Sequence, residues 1–329
     1  QAVASRMPWV RDELATLVAF RSVANPAIEP AEECVAAARR VEDLVRDSGF
    51  EQVEAVDAPD GSIAVCARSP RAGRPSVLLY AHHDVVPAGD PTGWDSDPWT
   101  LTERDGRWFA RGAADCKGNF LALLLALRSV REVLGEWPIE IAMVVEGSEE
   151  QSSGGMEAIA RARPELVAAD AIVLADTGNV EAGLPTLTTS LRGTGSVLVT
   201  VRTMDHAAHS GMFGGAAPDA LQALLMGLAT LRDAEGETTI DGLDHTDTWR
   251  GAPVDASRFR HDVGALDGVG PLGGDDTIAD RLWARPAATV LAIDAPPIAQ
   301  VTAAVQGEAR AVVNLRVPAD MDPTAAQQL

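Results

Sequence analysis

The sequence predicts an α/β domain, with a mostly parallel sheet flanked by helices, followed by a smaller α+β domain. Three observations carry this. Short apolar strands alternate with helical segments through the first half, the pattern of a sheet covered on both faces. After Arg192-Gly193 the strand pattern opens into a more exposed alternation. A length of 329 residues also exceeds what one hydrophobic core usually organises.

Residues 9–20 and 31–45 place apolar side chains at helical spacing with charges on the other faces. Residues 62–67 and 76–81 are short apolar strands. Residues 119–134 form a helix that is nearly apolar all round in its first turns, so it is expected to be well buried. Residues 139–145 and 171–175 are further strands, with a short helix at 157–163 stopped by Pro164. In the second half, residues 196–202 alternate as a half-exposed strand, 218–231 form a helix, and 309–317 return as a strand. The stretch 233–280, rich in Gly, Asp and Thr, shows little periodicity and is expected to be an irregular insertion. Asp322-Pro323 is a good helix start, an N-cap followed by proline in the first turn. The helix begun at 324–329 is unfinished, which suggests a missing segment. The expected domains are 1–191 and 192–329, each lacking a C-terminal portion.

The 48 acidic and 27 basic side chains leave a formal net charge of -21. Such a surface repels phosphate backbones and anionic lipid, so neither nucleic acid nor a membrane is an expected partner. Cys34, Cys66 and Cys116 are too few and too scattered for a disulfide framework and read as reduced, buried thiols of a cytoplasmic protein. The longest apolar run, residues 120–127, falls far short of the roughly 20 residues that cross a bilayer. No secretory leader is visible, although a start at Gln1 rather than Met points to a true N-terminus upstream.

Three expected strands run into potential metal ligands. Residues 76–81 lead into His82-His83-Asp84, 139–145 into Glu146-Gly147-Ser148-Glu149-Glu150, and 171–175 into Asp176-Thr177-Gly178. Asp115 stands just before the buried helix. Ligands of open α/β sheets bind outside the carboxyl ends of the strands, and one imidazole among several carboxylates suits zinc or a similar divalent ion. Each element also has an ordinary structural reading. Glu149-Glu150 could be a solvated pair, Asp176 the start of a turn, and Asp115 an N-cap. The metal reading rests on all four falling at one sheet edge. Cleaving an amide needs an activated water, a polarised carbonyl and a proton for the leaving amine. Two ions about 3.5–4 Å apart supply the first two, and a carboxylate beside them shuttles the proton. Glu149 and Glu150 could divide the roles of base and ligand.

Five ordered segments, HHDVVP, RGAADCKG, EGSEEQSSGG, LADTG and AHSGMFGG, resemble the family of carboxypeptidase G, aminoacylase-1, succinyl-diaminopimelate desuccinylase and the carnosinase-type dipeptidases. The Glu-Gly-x-Glu-Glu form and Asp at 176 look most like the dipeptidase branch. The resemblance implies a zinc-exopeptidase-like catalytic domain and a ferredoxin-like lid that dimerises. It implies two Zn2+ per complete subunit, with Mn2+ or Co2+ as substitutes. His82 would bind one metal with Asp84 orienting its ring, and Asp115 would bridge both, with a cis bond to Cys116. Glu150 would bind the second metal, Asp176 the first, and Glu149 would be the general base. His209 matches a histidine that stabilises the oxyanion, often across a dimer, and Arg316 an arginine that grips the substrate carboxylate. The implied activity is hydrolysis of a dipeptide or small peptide. A desuccinylase or aminoacylase acting on N-acyl amino acids, or an inactive metal-binding module, are the alternatives. The family's C-terminal metal-binding histidine has no counterpart here, because His206, His245 and His261 do not match it. His83 reads as a side chain near the site or in solvent, Cys116 as a packed residue, and Trp94, Trp99 and Trp108 as packing for the loop before Asp115.

Overall fold

A computed structural model describes residues 2–180 and 183–329. The chain divides into two compact units, Gln1–Leu187 and Thr188–Leu329. The first unit contains helices α1 (Ala2–Ala19), α2 (Ala31–Asp47), α3 (Lys117–Leu134) and α4 (Gly155–Ala162). Its strands are β1 (Gln52–Asp57), β2 (Ile63–Ser69), β3 (Ser76–His82), the small hairpin β4 (Thr102–Arg104) and β5 (Arg107–Phe109), β6 (Glu140–Glu146) and β7 (Ala171–Leu174).

The main sheet runs β1-β2-β6-β3-β7. Strand β3 is parallel to both β6 and β7, whereas β1 against β2 and β2 against β6 are antiparallel. The expected α/β architecture holds: β1, β6, β3 and β7 run in one direction and only β2 opposes them. Strands β1 and β2 connect through a tight turn, which can only make an antiparallel pair. The central strand β6 explains the two-sided burial. Ile141, Met143 and Val145 pack with α1, α2 and α3, while Ala142 and Val144 face Ile159 of α4. Alternate residues of a strand point to opposite faces, so an apolar run without alternation marks a strand covered on both sides. Helix α3 buries Phe120, Leu121, Leu124, Leu125 and Leu127 in the larger core.

Several boundaries differ from expectation. Helix α1 begins at Ala2 and runs through Pro8, since proline removes one backbone donor while keeping a helical φ. Strand β1 is half-exposed and polar, and so gives no apolar run. Strand β7 lies at the sheet edge and leaves Ile172, Val173 and Leu174 exposed. Cys66 and Cys116 are buried, but Cys34 is only half-buried, and all three are free thiols.

The second unit has β8 (Gly193–Arg202), β9 (Ala208–His209), α5 (Ser210–Phe213), α6 (Ala220–Ala229), α7 (Ala256–Asp262), β10 (Ala287–Asp294), β11 (Ala304–Val305), β12 (Glu308–Val317) and α8 (Pro323–Ala326). Antiparallel β10-β12-β8 form one sheet. Its buried face places Ala309 and Ala311 against Ala220 and Leu224 of α6. Asp322 caps α8 by accepting from Thr324 N at 2.8 Å. The 233–280 stretch is less irregular than expected. It contains α7, and Glu237 anchors it through Arg281 at 2.7 Å and Arg285 at 2.6 Å. These long-range ion pairs leave no periodic trace in the sequence. Among the described residues, no helix is long and apolar enough to cross a membrane.

Candidate metal centre

The parallel register aligns His82 with Glu146, so β3 and β6 end at the same level, with β7 ending beside them. The segments that follow carry the expected residues to one sheet edge. His82, His83 and Asp84 are fully buried. The His82 ring lies at the centre. Its Nε2 is 2.9 Å from Asp115 Oδ1 and 3.4 Å from Asp176 Oδ1. Its Nδ1 is 3.1 Å from the Asp84 carbonyl oxygen and 3.3 Å from Asp84 Oδ1. Nδ1–H thus donates to Asp84, which leaves Nε2 as the nitrogen facing the carboxylates.

Asp84 does more than hold a ring. Its Oδ1 accepts from Glu149 N and its Oδ2 from Glu150 N, each at 3.1 Å. One buried carboxylate therefore links His82 to the 3-10 turn Glu149–Gln151. Ligand atoms of His82, Glu149 and Glu150 lie within 4.8 Å of one another, and those of His82, Cys116 and Asp176 do likewise. Asp115 does not cap α3, whose N-cap is Cys116 without a side-chain bond. The Asp115–Cys116 peptide is cis.

The electrostatics are those of a carboxylate cluster around one imidazole. Burial pulls His82 down, but hydrogen bonds to Asp176 and Asp84 and the surrounding charge push it up to about 12. Asp115 is the nearer carboxylate but is 65% exposed, against 27% for Asp176, so water screens it more. Burial raises Glu149, His82 pulls it down, and Asp176, Asp84 and Glu146 push it further up. Burial likewise raises Glu150, and Asp115 adds to it. Burial pushes the Cys116 thiol up to about 11, and Sγ donates to Ala175 O at 3.3 Å, as befits a packed thiol.

Other residues were not legible as part of the site. Lys117 is 1% exposed, and its Nζ donates to Leu17 O at 2.9 Å and Phe20 O at 2.8 Å. Just beyond that helix end, Ser22 Oγ donates to His83 O at 2.7 Å and Val85 N donates to Ser22 O at 3.0 Å. The segment carrying His82 is thereby tied to the end of α1. Tyr80 OH donates to Glu146 Oε2 at 2.7 Å. His83 has no solvent role, since its Nε2 bonds Ile63 O at 2.9 Å inside the unit. Trp94 packs in its loop, with Nε1 donating to Ala88 O at 2.8 Å, and Arg21 stacks near Trp99 at 5.7 Å. A lone buried lysine or an isolated serine carries no pattern that sequence reading detects.

His209 and Arg316 belong to the second unit. His209 ends β9, paired with Ala304, and its Nδ1 accepts from Gly211 N at 3.0 Å. Nε2 is then the protonated nitrogen of the neutral ring. Arg316 is exposed on β12, opposite Thr194. Arg192 is half-buried, and burial and then the charge of Arg316 lower it.

The sequence matches the profile of the Peptidase family M20/M25/M40 over residues 78–325. The chain belongs to this family. The M20 chain is 45% identical over 285 residues to cysteinylglycine-S-conjugate dipeptidase of Corynebacterium striatum, an overlap covering 86% of this chain and 62% of that protein. It is 35% identical to Cys-Gly metallodipeptidase dug1 of Schizosaccharomyces pombe over 60% of this chain and 42% of the relative. The chain thus spans about three fifths or less of the length of these curated relatives. Human carnosine dipeptidase 1 shares its fold with a TM-score of 0.79 at 23% identity, covering 99% of this chain and 73% of that one. Dug1p from Saccharomyces cerevisiae does so with a TM-score of 0.80 at 20% identity, covering 100% and 73%.

M20 membership implies a divalent metal, and the residues present fit one. A buried imidazole stands among Asp84, Asp115, Glu149, Glu150 and Asp176. These oxygen and imidazole donors suit zinc or a neighbouring ion.

Proposed function

We propose that the complete protein is a cytoplasmic, zinc-dependent dipeptidase with Glu149 as general base, acting as a homodimer through its second unit. One observation carries the catalytic reading. Asp84 fixes the Glu149 and Glu150 amides while facing the ring of His82, so base and ligands share one buried anchor. His82, Asp115 and Asp176 would hold one ion, and Asp115 and Glu150 the second. When bound, such ions acidify a water and polarise the scissile carbonyl.

The chain's own residues then divide the remaining work. Glu149 takes the proton of the attacking water at its carboxylate and delivers it to the leaving amine, a transfer worth on the order of 10²–10⁴ in rate. Asp84 keeps His82 in the tautomer whose Nε2 faces the ions. His209, with its proton on Nε2, would donate to the oxyanion. The Arg316 guanidinium would receive the substrate's carboxylate. Three free thiols support a reducing compartment. The exposed apolar residues Leu198, Leu291 and Ile293 on the second unit's sheet support self-association.

The relatives named for Cys-Gly and β-Ala-His substrates make those dipeptides, and Cys-Gly S-conjugates, the first to assay. The test uses the full-length protein with zinc, that panel, and acetyl amino acids and succinyl-diaminopimelate as competitors. We expect about two ions per subunit, dipeptide hydrolysis, and its loss in Glu149→Gln with the metal retained. A full-length protein that binds one ion or none and is inert to the dipeptides overturns the reading.

A further inference from the structure

We propose that Asp60 is a positioning residue for the proposed reaction, a latch that holds the Glu149–Glu150 turn from the side opposite Asp84. The inference rests on the reading of Glu149 as base and deepens it. Asp60 sits in the tight turn between β1 and β2, closed by Ala58 N donating to Ser62 O at 2.9 Å. Gly61 supports that turn with a φ of 88°, a conformation that L side chains rarely adopt.

The Asp60 carboxylate collects hydroxyls from both flanks of the catalytic turn. Its Oδ1 accepts from Ser62 N at 2.9 Å and lies 2.7 Å from Ser62 Oγ. Its Oδ2 accepts from Ser148 Oγ at 2.7 Å and from Ser153 Oγ. Ser148 immediately precedes Glu149, and Ser153 follows the turn by two residues. Ser62 Oγ also lies 3.0 Å from Ser148 Oγ, so the hairpin and the turn share one hydroxyl network.

A second observation shows how closely the two segments are fitted. A Cβ on Gly147 would stand 2.5 Å from Ile63 O, and one on Gly155 would collide with the Asp60 carboxylate. Glycine at both ends lets the turn settle against the hairpin, and Asp60 fastens it there. Burial alone would raise the Asp60 carboxyl, but the bonds from Ser153, Ser62 and Ser148 bring it down to about 2, so the latch is ionised at neutral pH.

The 3-10 turn itself offers little rigidity. It spans only Glu149–Gln151 and ends on Ser152 at φ 48°. Asp84 fixes its first two amides, and Asp60 fixes its flanks. With the flanks released, the turn pivots on Asp84, and the Glu149 carboxylate loses its aim while the sheet and the His82 anchor stay in place. A displacement of about 1 Å at a reacting group can cost on the order of 10² in rate.

The experiment compares Asp60→Ala, Asp60→Asn, the double variant Ser148→Ala/Ser153→Ala and the triple combination in the zinc-loaded full-length protein. Asp170→Ala is the control. Asp170 makes the same kind of latch, accepting from Ser76 N at 2.7 Å and Ser76 Oγ at 2.8 Å, but at the opposite end of β3. We expect kcat on a hydrolysed dipeptide to fall at least tenfold in Asp60→Ala, with KM changed by less than about threefold. The serine double variant should show a similar fall and the triple variant no further one, because each breaks the same latch. Asp170→Ala should lose thermal stability without losing kcat. If Asp60→Ala fails to fold, Asp60→Asn and the serine variants carry the same comparison. An unchanged kcat in folded latch variants while Glu149→Gln is inactive overturns the positioning role alone. An active Glu149→Gln overturns the base reading and the inference with it. Equal kcat losses in Asp60→Ala and Asp170→Ala would reduce the effect to stability and also overturn it.

Discussion

Lys117→Met removes a buried ammonium while keeping an unbranched side chain of similar length, and the consequence can be worked from the geometry. Wild-type Nζ donates to Leu17 O and Phe20 O at the end of α1. Neither carbonyl gains a replacement donor from methionine. Leu17 O keeps its bond from Phe20 N at 3.2 Å, so Phe20 O is the carbonyl left without a donor, at a cost of about 1–3 kcal/mol. Methionine also relieves the desolvation of the amine, which burial holds down at about 7. That gain offsets part of the loss, and a net destabilisation of about 1–2 kcal/mol is expected. The assay is urea unfolding followed by the fluorescence of Trp137, which is buried in the same core. With a slope of about 1–3 kcal/mol/M, the midpoint should fall by roughly 0.5–1 M with the slope unchanged. Metal affinity should fall as well, because Ser22, just past the freed helix end, holds His83 and Val85. A shift below about 0.5 kcal/mol would refute the reasoning, since it would mean that water or a relaxed backbone satisfies Phe20 O.

Asp84→Asn replaces one of the two oxygens that hold the Glu149 and Glu150 amides with a donor. Metal affinity measured by competition with a chelator should drop about 10–100-fold, as for other groups that orient a ligand. Asp60, held down at about 2 from an ordinary 3.8, contributes stability that is fully present above about pH 4 and is lost as pH falls through 2. The gap in thermal midpoint between wild type and Asp60→Asn should therefore be widest at pH 5–7 and close as pH drops below 4; a gap independent of pH contradicts the ionised latch.

The legible part of the site was the part that depends on strand ends. His82, Glu149 and Asp176 each follow an apolar run, and parallel pairing of β3 with β6 and β7 brings those ends together. Asp115 was legible through its motif, although its backbone role as a cap did not materialise. The polar strand β1 escaped notice because it carries no apolar run, whereas β10 has one at residues 290–293 that lies exposed in the fold. The reversed direction of β2 was not legible for a related reason. Burial on both faces makes a strand continuously apolar, whatever the direction of its neighbour, as β2 shows.

His82, Asp84, Asp115, Glu149, Glu150 and Asp176 were picked out by sequence alone as a candidate set, from the ends of apolar strands and from the five ordered motifs. Tertiary structure decided the supports: Lys117 against the end of α1, Ser22 against His83, Asp84 beneath the Glu149 amides, and Asp60 across its flanking serines. These contacts join residues 61 to 100 positions apart. A hydrogen bond over such a distance leaves no local periodicity, and only the closing of the chain brings its two ends within about 3 Å of each other.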